Sequence, residues 1–140
     1  PGCGSGILSI ATLVLGASHA LAVDIDPKAV DVAYENAALN AIGKDRYTVR
    51  AGDVLSDAAL AAEIAQQRYP LVLANIVADV IIPPVRPGAQ PADGRTGIFL
   101  CSGIIDTRAH EVEAALAKNG LKITRKREKN GWVALEAVLA

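Results

Sequence analysis

Apolar and polar positions change period along the chain. Residues 5–15 leave a glycine cluster as an apolar run broken by Ser9 and Thr12, which predicts a helix ending near Gly16. The short apolar run 20–23 ends in Asp24 and reads as a buried strand. Asp26-Pro27 reads as a helix start, with a capping carboxylate followed by a first-turn proline. Ala29, Val30, Ala33, Ala37 and Ala41 then share one face, and Gly43 is the expected stop. Residues 47–50 predict a strand running into Gly52-Asp53, and Ser56 or Asp57 opens an alanine-rich helix that ends near Gln67. Strands follow at 70–74, running into Asn75, and at 97–102. Asp106 or Thr107 starts a helix with Ala109, Val112, Ala115 and Leu116 in one stripe. Runs 121–128 and 132–139 flank Asn130-Gly131, a strong hairpin signal. Residues 82–96 carry four prolines and two glycines and read as a loop.

Strands alternating with helices predict an α/β fold. The expected architecture is a Rossmann-like, doubly wound, mostly parallel sheet with helices on both faces, closed by a C-terminal antiparallel hairpin. A length of 140 residues suits one domain, 1–140. Met is absent and a glycine cluster stands at the very start, so the domain is expected to be truncated, its first core strand missing upstream of Gly2. A hydrophobic fraction of 51% excludes disorder. A net charge of −1 argues against a broad basic surface, so no direct nucleic-acid contact is expected. The apolar stretch 7–23 is 17 residues long and polar in places, whereas a membrane span needs about 20 apolar residues. No membrane segment is expected. Cys3 and Cys101 are too few for a disulfide framework and suit reduced thiols in a cytoplasmic protein. His19 and His110 lack neighbours at metal-ligand spacing, so no metal is expected.

The chemistry concentrates at strand ends. Glycines at 2, 4 and 6, just before a helix, allow a tight turn and close approach of a ligand to the main chain, where free amides favour a negative group. The spacing differs from the dinucleotide fingerprint, whose third glycine would fall on Ile7. Asp24, 18 residues beyond Gly6, suits the two hydroxyls of a ribose. Asp53 and Asn75 close the next two strands, and in doubly wound sheets ligands bind beyond such carboxyl ends. On these residues alone a nicotinamide-dependent oxidoreductase and a non-catalytic fragment both stay open.

Pro-Gly-Cys-Gly-Ser-Gly, Ala-Val-Asp-Ile-Asp-Pro, Ala-Gly-Asp-Val-Leu and Ala-Asn-Ile-Val-Ala-Asp, in that order, resemble the motifs of class I S-adenosylmethionine-dependent methyltransferases. Asn-Ile-Val-Ala-Asp at 75–79, Ser-Gly-Ile-Ile-Asp at 102–106 and Asn-Gly-Trp-Val-Ala-Leu at 130–135 carry a narrower resemblance. It is to the methyltransferases of the eleventh large-subunit ribosomal protein. The resemblance implies S-adenosyl-L-methionine as cofactor. Gly2, Gly4 and Gly6 would line its methionine part, Asp24 would hold the ribose, and Asp53, with Val54, would lie near the adenine. Asn75 would lie by the sulfonium and the incoming amine and be the catalytic residue. The implied partner is a large-subunit ribosomal protein, methylated on lysine side chains and its N-terminal amine. Two departures from that family are expected: the first strand and an N-terminal substrate-recognition domain would belong upstream of Gly2, and segment 83–96 lacks the helix and Lys-Pro-Gly-Gly-like turn of the family.

Overall fold

A computed structural model describes residues 3–75 and 97–140. Gly2, Ile76–Asp79 and the proline-rich segment 82–96 therefore lie outside the described residues. The chain divides into two compact units, Pro1–Asp57 and Ala58–Ala140.

The first unit contains α1 (Ile7–Val14), β1 (Ala20–Asp24), α2 (Pro27–Leu39) and β2 (Tyr47–Ala51). Strands β1 and β2 pair in parallel, with Asp24 opposite Ala51, so both strands end at the same edge. Ile10 and Leu13 of α1, and Ala33 and Ala37 of α2, are buried with Ala22, Tyr47 and Val49 of the strands. The fully buried residues of α2 are alanines, Ala33 and Ala37, and Val30 and Tyr34 pack beside them. Helix α1 begins two residues later than its apolar run suggests. Gly6 adopts a left-handed φ of 80°, which cannot continue into a helix, and so α1 starts at Ile7.

Helix α2 opens as expected: Asp26 Oδ1 accepts from Lys28 N at 2.9 Å, with Pro27 in the first turn. Its end differs from the expected stop at Gly43. The helix ends at Leu39, and Ala41, at φ 57°, takes the left-handed position beyond the cap. Ile42 N donates to Ala37 O and Ala41 N to Ala38 O, both at 3.0 Å, the double bond of a Schellman turn. The cause is tertiary. Turning the chain there buries Ile42, which is 5% exposed, and that gain outweighs the strain at an alanine. Ala41 is consequently outside the helical stripe and exposed.

The second unit contains α3 (Ala58–Ala65), β3 (Leu71–Asn75), β4 (Ile98–Ile105), a 3-10 turn (Asp106–Arg108), α4 (Ala109–Lys118), β5 (Leu121–Lys129) and β6 (Trp132–Leu139). Strand order is β3-β4-β6-β5. Strands β3 and β4 are parallel, and β6 runs antiparallel to both β4 and β5. Val112 and Leu116 of α4 cover Phe99, Cys101, Val133, Leu135 and Ala137. The hairpin turns at Asn130 and Gly131, φ 52° and 80°, the two positive angles a two-residue turn between twisted strands needs. Strand β4 runs three residues past the expected end at Ser102. It does so through a bulge, because the register against β6 moves from Cys101↔Leu135 to Ile104↔Val133, one extra residue on β4. Asp106 and Thr107 start the 3-10 turn, and α4 begins only at Ala109. No helix among the described residues is long and apolar enough to cross a membrane.

Ala41→Gly tests the account of the α2 terminus. Removing left-handed strain is worth about 1–2 kcal/mol, and the added freedom of glycine in the unfolded chain returns about 0.4–1 kcal/mol. Urea unfolding should show a net gain of roughly 0.5–1 kcal/mol; a loss would contradict the Schellman assignment.

Candidate functional site

The glycine loop is tied to β1 at two points. Cys3 N donates to Val23 O at 2.9 Å, and Gly4 N donates to Asp24 Oδ2 at 2.8 Å. The other oxygen of the same carboxylate, Asp24 Oδ1, accepts from Asp26 N at 2.9 Å. Asp24 thus joins the loop before α1 to the turn before α2. A carboxylate offers about four lone-pair sites, and these two backbone bonds leave capacity for two further donors.

Under the loop lies a hydroxyl chain. Ser9 Oγ donates to Gly6 O at 3.0 Å, and its own oxygen is 2.6 Å from the Tyr47 hydroxyl. The single serine proton is used toward Gly6, so Tyr47 is the donor to Ser9. Tyr47 is fully buried, and burial pushes its hydroxyl up from the usual phenol range, which keeps that proton in place. Gly6 is needed here for space as well as for its φ. A Cβ would stand 2.7 Å from the Tyr47 hydroxyl and 3.1 Å from Ala33 Cβ. The 38-residue separation of Ser9 and Tyr47 hid this contact from sequence reasoning.

Helix α1 has no side chain capping it at Gly6. Its first-turn amides have no carbonyl partner within the helix, so they suit a negative group. Beyond β2, Gly52 N donates to Asp24 O at 2.8 Å, and Asp53 Oδ1 accepts from Leu55 N at 3.0 Å. Gly4, Gly6, Asp24 and Asp53 are therefore brought together at one end of the parallel pair. Asn75 belongs to the second unit, where it closes β3, exposed and opposite Ser102.

The cysteines fit no nucleophilic role. The Cys3 thiol is raised above its ordinary value by burial and, after that, by the negative charge of Asp24. Cys101 is buried in β4 and pushed up to about 11 by desolvation. His19 Nε2 lies 3.1 Å from Thr48 Oγ1 at the surface. Among the described residues no three His, Cys, Asp or Glu side chains cluster as a metal site. Within the basic run of β5, Lys126 Nζ pairs with Glu113 Oε1 of α4 at 2.7 Å.

Known proteins bear on the oxidoreductase reading left open by the residues. The family model described as ribosomal protein L11 methyltransferase (PrmA) matches residues 1–139. The chain belongs to the ribosomal protein L11 methyltransferase family. This places it among class I S-adenosylmethionine-dependent methyltransferases and removes the support for a nicotinamide-dependent oxidoreductase. The L11 methyltransferase of Desulfitobacterium hafniense is 44% identical over 136 residues, covering 97% of this chain and 40% of that protein. That of Lacticaseibacillus paracasei is 41% identical over 138 residues, covering 99% of this chain and 41% of the relative. The chain thus spans about two fifths of the length of these relatives. The crystal structure of the ribosomal protein L11 methylase from Lactobacillus delbrueckii subsp. bulgaricus superposes with a TM-score of 0.75 at 31% identity, over 97% of this chain and 66% of that one. The magnesium protoporphyrin IX methyltransferase of Synechocystis PCC 6803, solved with bound SAM, shares the fold at a TM-score of 0.65 and 21% identity, over 99% and 67% of the two chains. The fold is Rossmann-like.

The raised Cys3 thiol gives a measurable consequence. Its thiolate fraction is below that of a free cysteine at every pH, so iodoacetamide should label it slowly at pH 7 and faster only well into the alkaline range. Peptide mass spectrometry across a pH series reads this; rapid labelling at neutral pH would contradict the environment described.

Proposed function

We propose that residues 1–140 form the catalytic domain of a cytoplasmic enzyme that methylates amines of ribosomal protein L11. The acceptors are lysine side chains and the N-terminal amine, and S-adenosyl-L-methionine is the methyl donor. The observation that carries this reading is the Asp24 carboxylate braced by Gly4 N, on a chain whose family match runs from end to end. The residues suit the donor molecule. The uncapped start of α1 suits its carboxylate, the spare acceptor capacity of Asp24 suits two ribose hydroxyls, and Asp53 with Val54 borders the place for an adenine. The family resemblance assigns Gly2, with Gly4 and Gly6, to the methionine part.

S-adenosylmethionine supplies an already activated methyl group. The protein's own work is positioning. A free lysine amine has a pKa near 10.4, and attack requires its neutral form. Asn75 is the catalytic residue in this reading. Its carboxamide oxygen accepts a hydrogen bond from the acceptor amine and turns the nitrogen lone pair toward the methyl carbon. A neutral acceptor suits this role, because a carboxylate there would favour the charged, unreactive ammonium.

The test is methyl transfer from labelled donor to L11 by the complete protein that carries this chain. Asn75→Ala should lower turnover by about 100-fold with little change in S-adenosylhomocysteine affinity, the mark of an interaction made at the reacting centre. Asp24→Ala should chiefly weaken that affinity. Unchanged turnover in Asn75→Ala would remove Asn75 from the mechanism, and absence of transfer to L11 by the unaltered protein would refute the assignment.

A further inference from the structure

We propose that Gly103 is a positioning residue for Asn75, holding its carboxamide in the orientation used for methyl transfer. The inference rests on the reading of Asn75 given above. Strands β3 and β4 pair in parallel with Asn75 opposite Ser102, so Gly103 is the next residue of β4 beyond that pair. It lies within the bulge where β4 gains a residue against β6, and its φ of 73° is a left-handed angle that strains any residue with a Cβ. The Asn75 side chain occupies the space this leaves. A Cβ on Gly103 would overlap Asn75 Oδ1 and stand 3.0 Å from its Cγ and 3.6 Å from its Nδ2. The bulge therefore shifts the register of β4 and also leaves a bare Cα on which the carboxamide rests. Asn75 is otherwise exposed at its strand end.

Two effects of a side chain at Gly103 can be separated. Backbone strain acts whatever residue stands at 75. Displacement of the carboxamide acts only when Asn75 is present. A double-mutant cycle on the complete protein distinguishes them, with single-turnover methyl transfer, S-adenosylhomocysteine affinity and thermal melting as readouts. Asn75→Ala should slow transfer by about 100-fold and Gly103→Ala by about 10- to 100-fold, with affinity for S-adenosylhomocysteine held within about twofold. The double variant should be no slower than Asn75→Ala alone. Melting should fall equally when Gly103→Ala is added to either background. Gly103→Asn tolerates the left-handed backbone better but carries a Cβ, so it should repeat the kinetic defect with a smaller loss of melting temperature. A wild-type rate in Gly103→Ala or Gly103→Asn, or a defect that multiplies with that of Asn75→Ala, overturns the inference and leaves the role of Asn75 standing. A wild-type rate in Asn75→Ala overturns that role and the inference with it.

Discussion

The first unit is organised around one carboxylate. Asp24 stands where β1 ends, and each of its oxygens holds a backbone amide, Gly4 on one side and Asp26 on the other. Charge-assisted bonds of this kind are stronger than neutral ones. Here they set the path of the glycine loop and the entry into α2 together. The loop needs that bracing because Gly4 and Gly6 both take left-handed angles, which glycine permits without preferring. Below, the Tyr47–Ser9–Gly6 chain of hydroxyls restrains the same loop from the core side. A segment rich in glycine is thereby held in one shape, with uncapped helix amides at its far end.

In the proposed function, binding and chemistry rest on different residues. The first unit offers amides and carboxylates at the ends of two parallel strands, a set suited to a polar, partly negative ligand. The second unit contributes a neutral carboxamide on β3, resting on a bulged β4 whose Phe99, Cys101 and Ile104 pack with Val112 and Leu116 of α4. Acyl or phosphoryl transfer would call for a positioned nucleophile or a general base. Neither cysteine provides one, since burial holds both thiols protonated. Methyl transfer from an activated donor, the reaction proposed above, asks only for a neutral amine aimed correctly.

Local signals in the sequence were reliable where local physics decides. Asp26-Pro27 caps its helix and Asn130-Gly131 turns its hairpin because both features are settled within four residues. Asp24 and Asn75 close their strands where the apolar runs placed them, while Asp53 lies two residues beyond the end of β2. Long-range packing decided the rest. Ile42 pulled the end of α2 ahead of the glycine that would have stopped it. A bulge carried β4 past Ser102, and bulges leave little trace in hydrophobic alternation. Arg46 places its guanidinium on the carbonyls of Leu13 and Ala17 at the end of α1, a contact across roughly thirty residues that spacing cannot show. Gly103 stands just past the expected end of its strand, and its role depends on what lies across the sheet.

The central claim is that the loop braced by Asp24 seats the adenosyl ligand. Amide spectra of the isotopically labelled complete protein, titrated with S-adenosylhomocysteine, address it directly. The amide signals of Gly4, Gly6, Ile25, Asp53 and Val54 should move together and saturate at one ligand concentration. Saturable binding that leaves Gly4 and Gly6 unmoved would contradict the account.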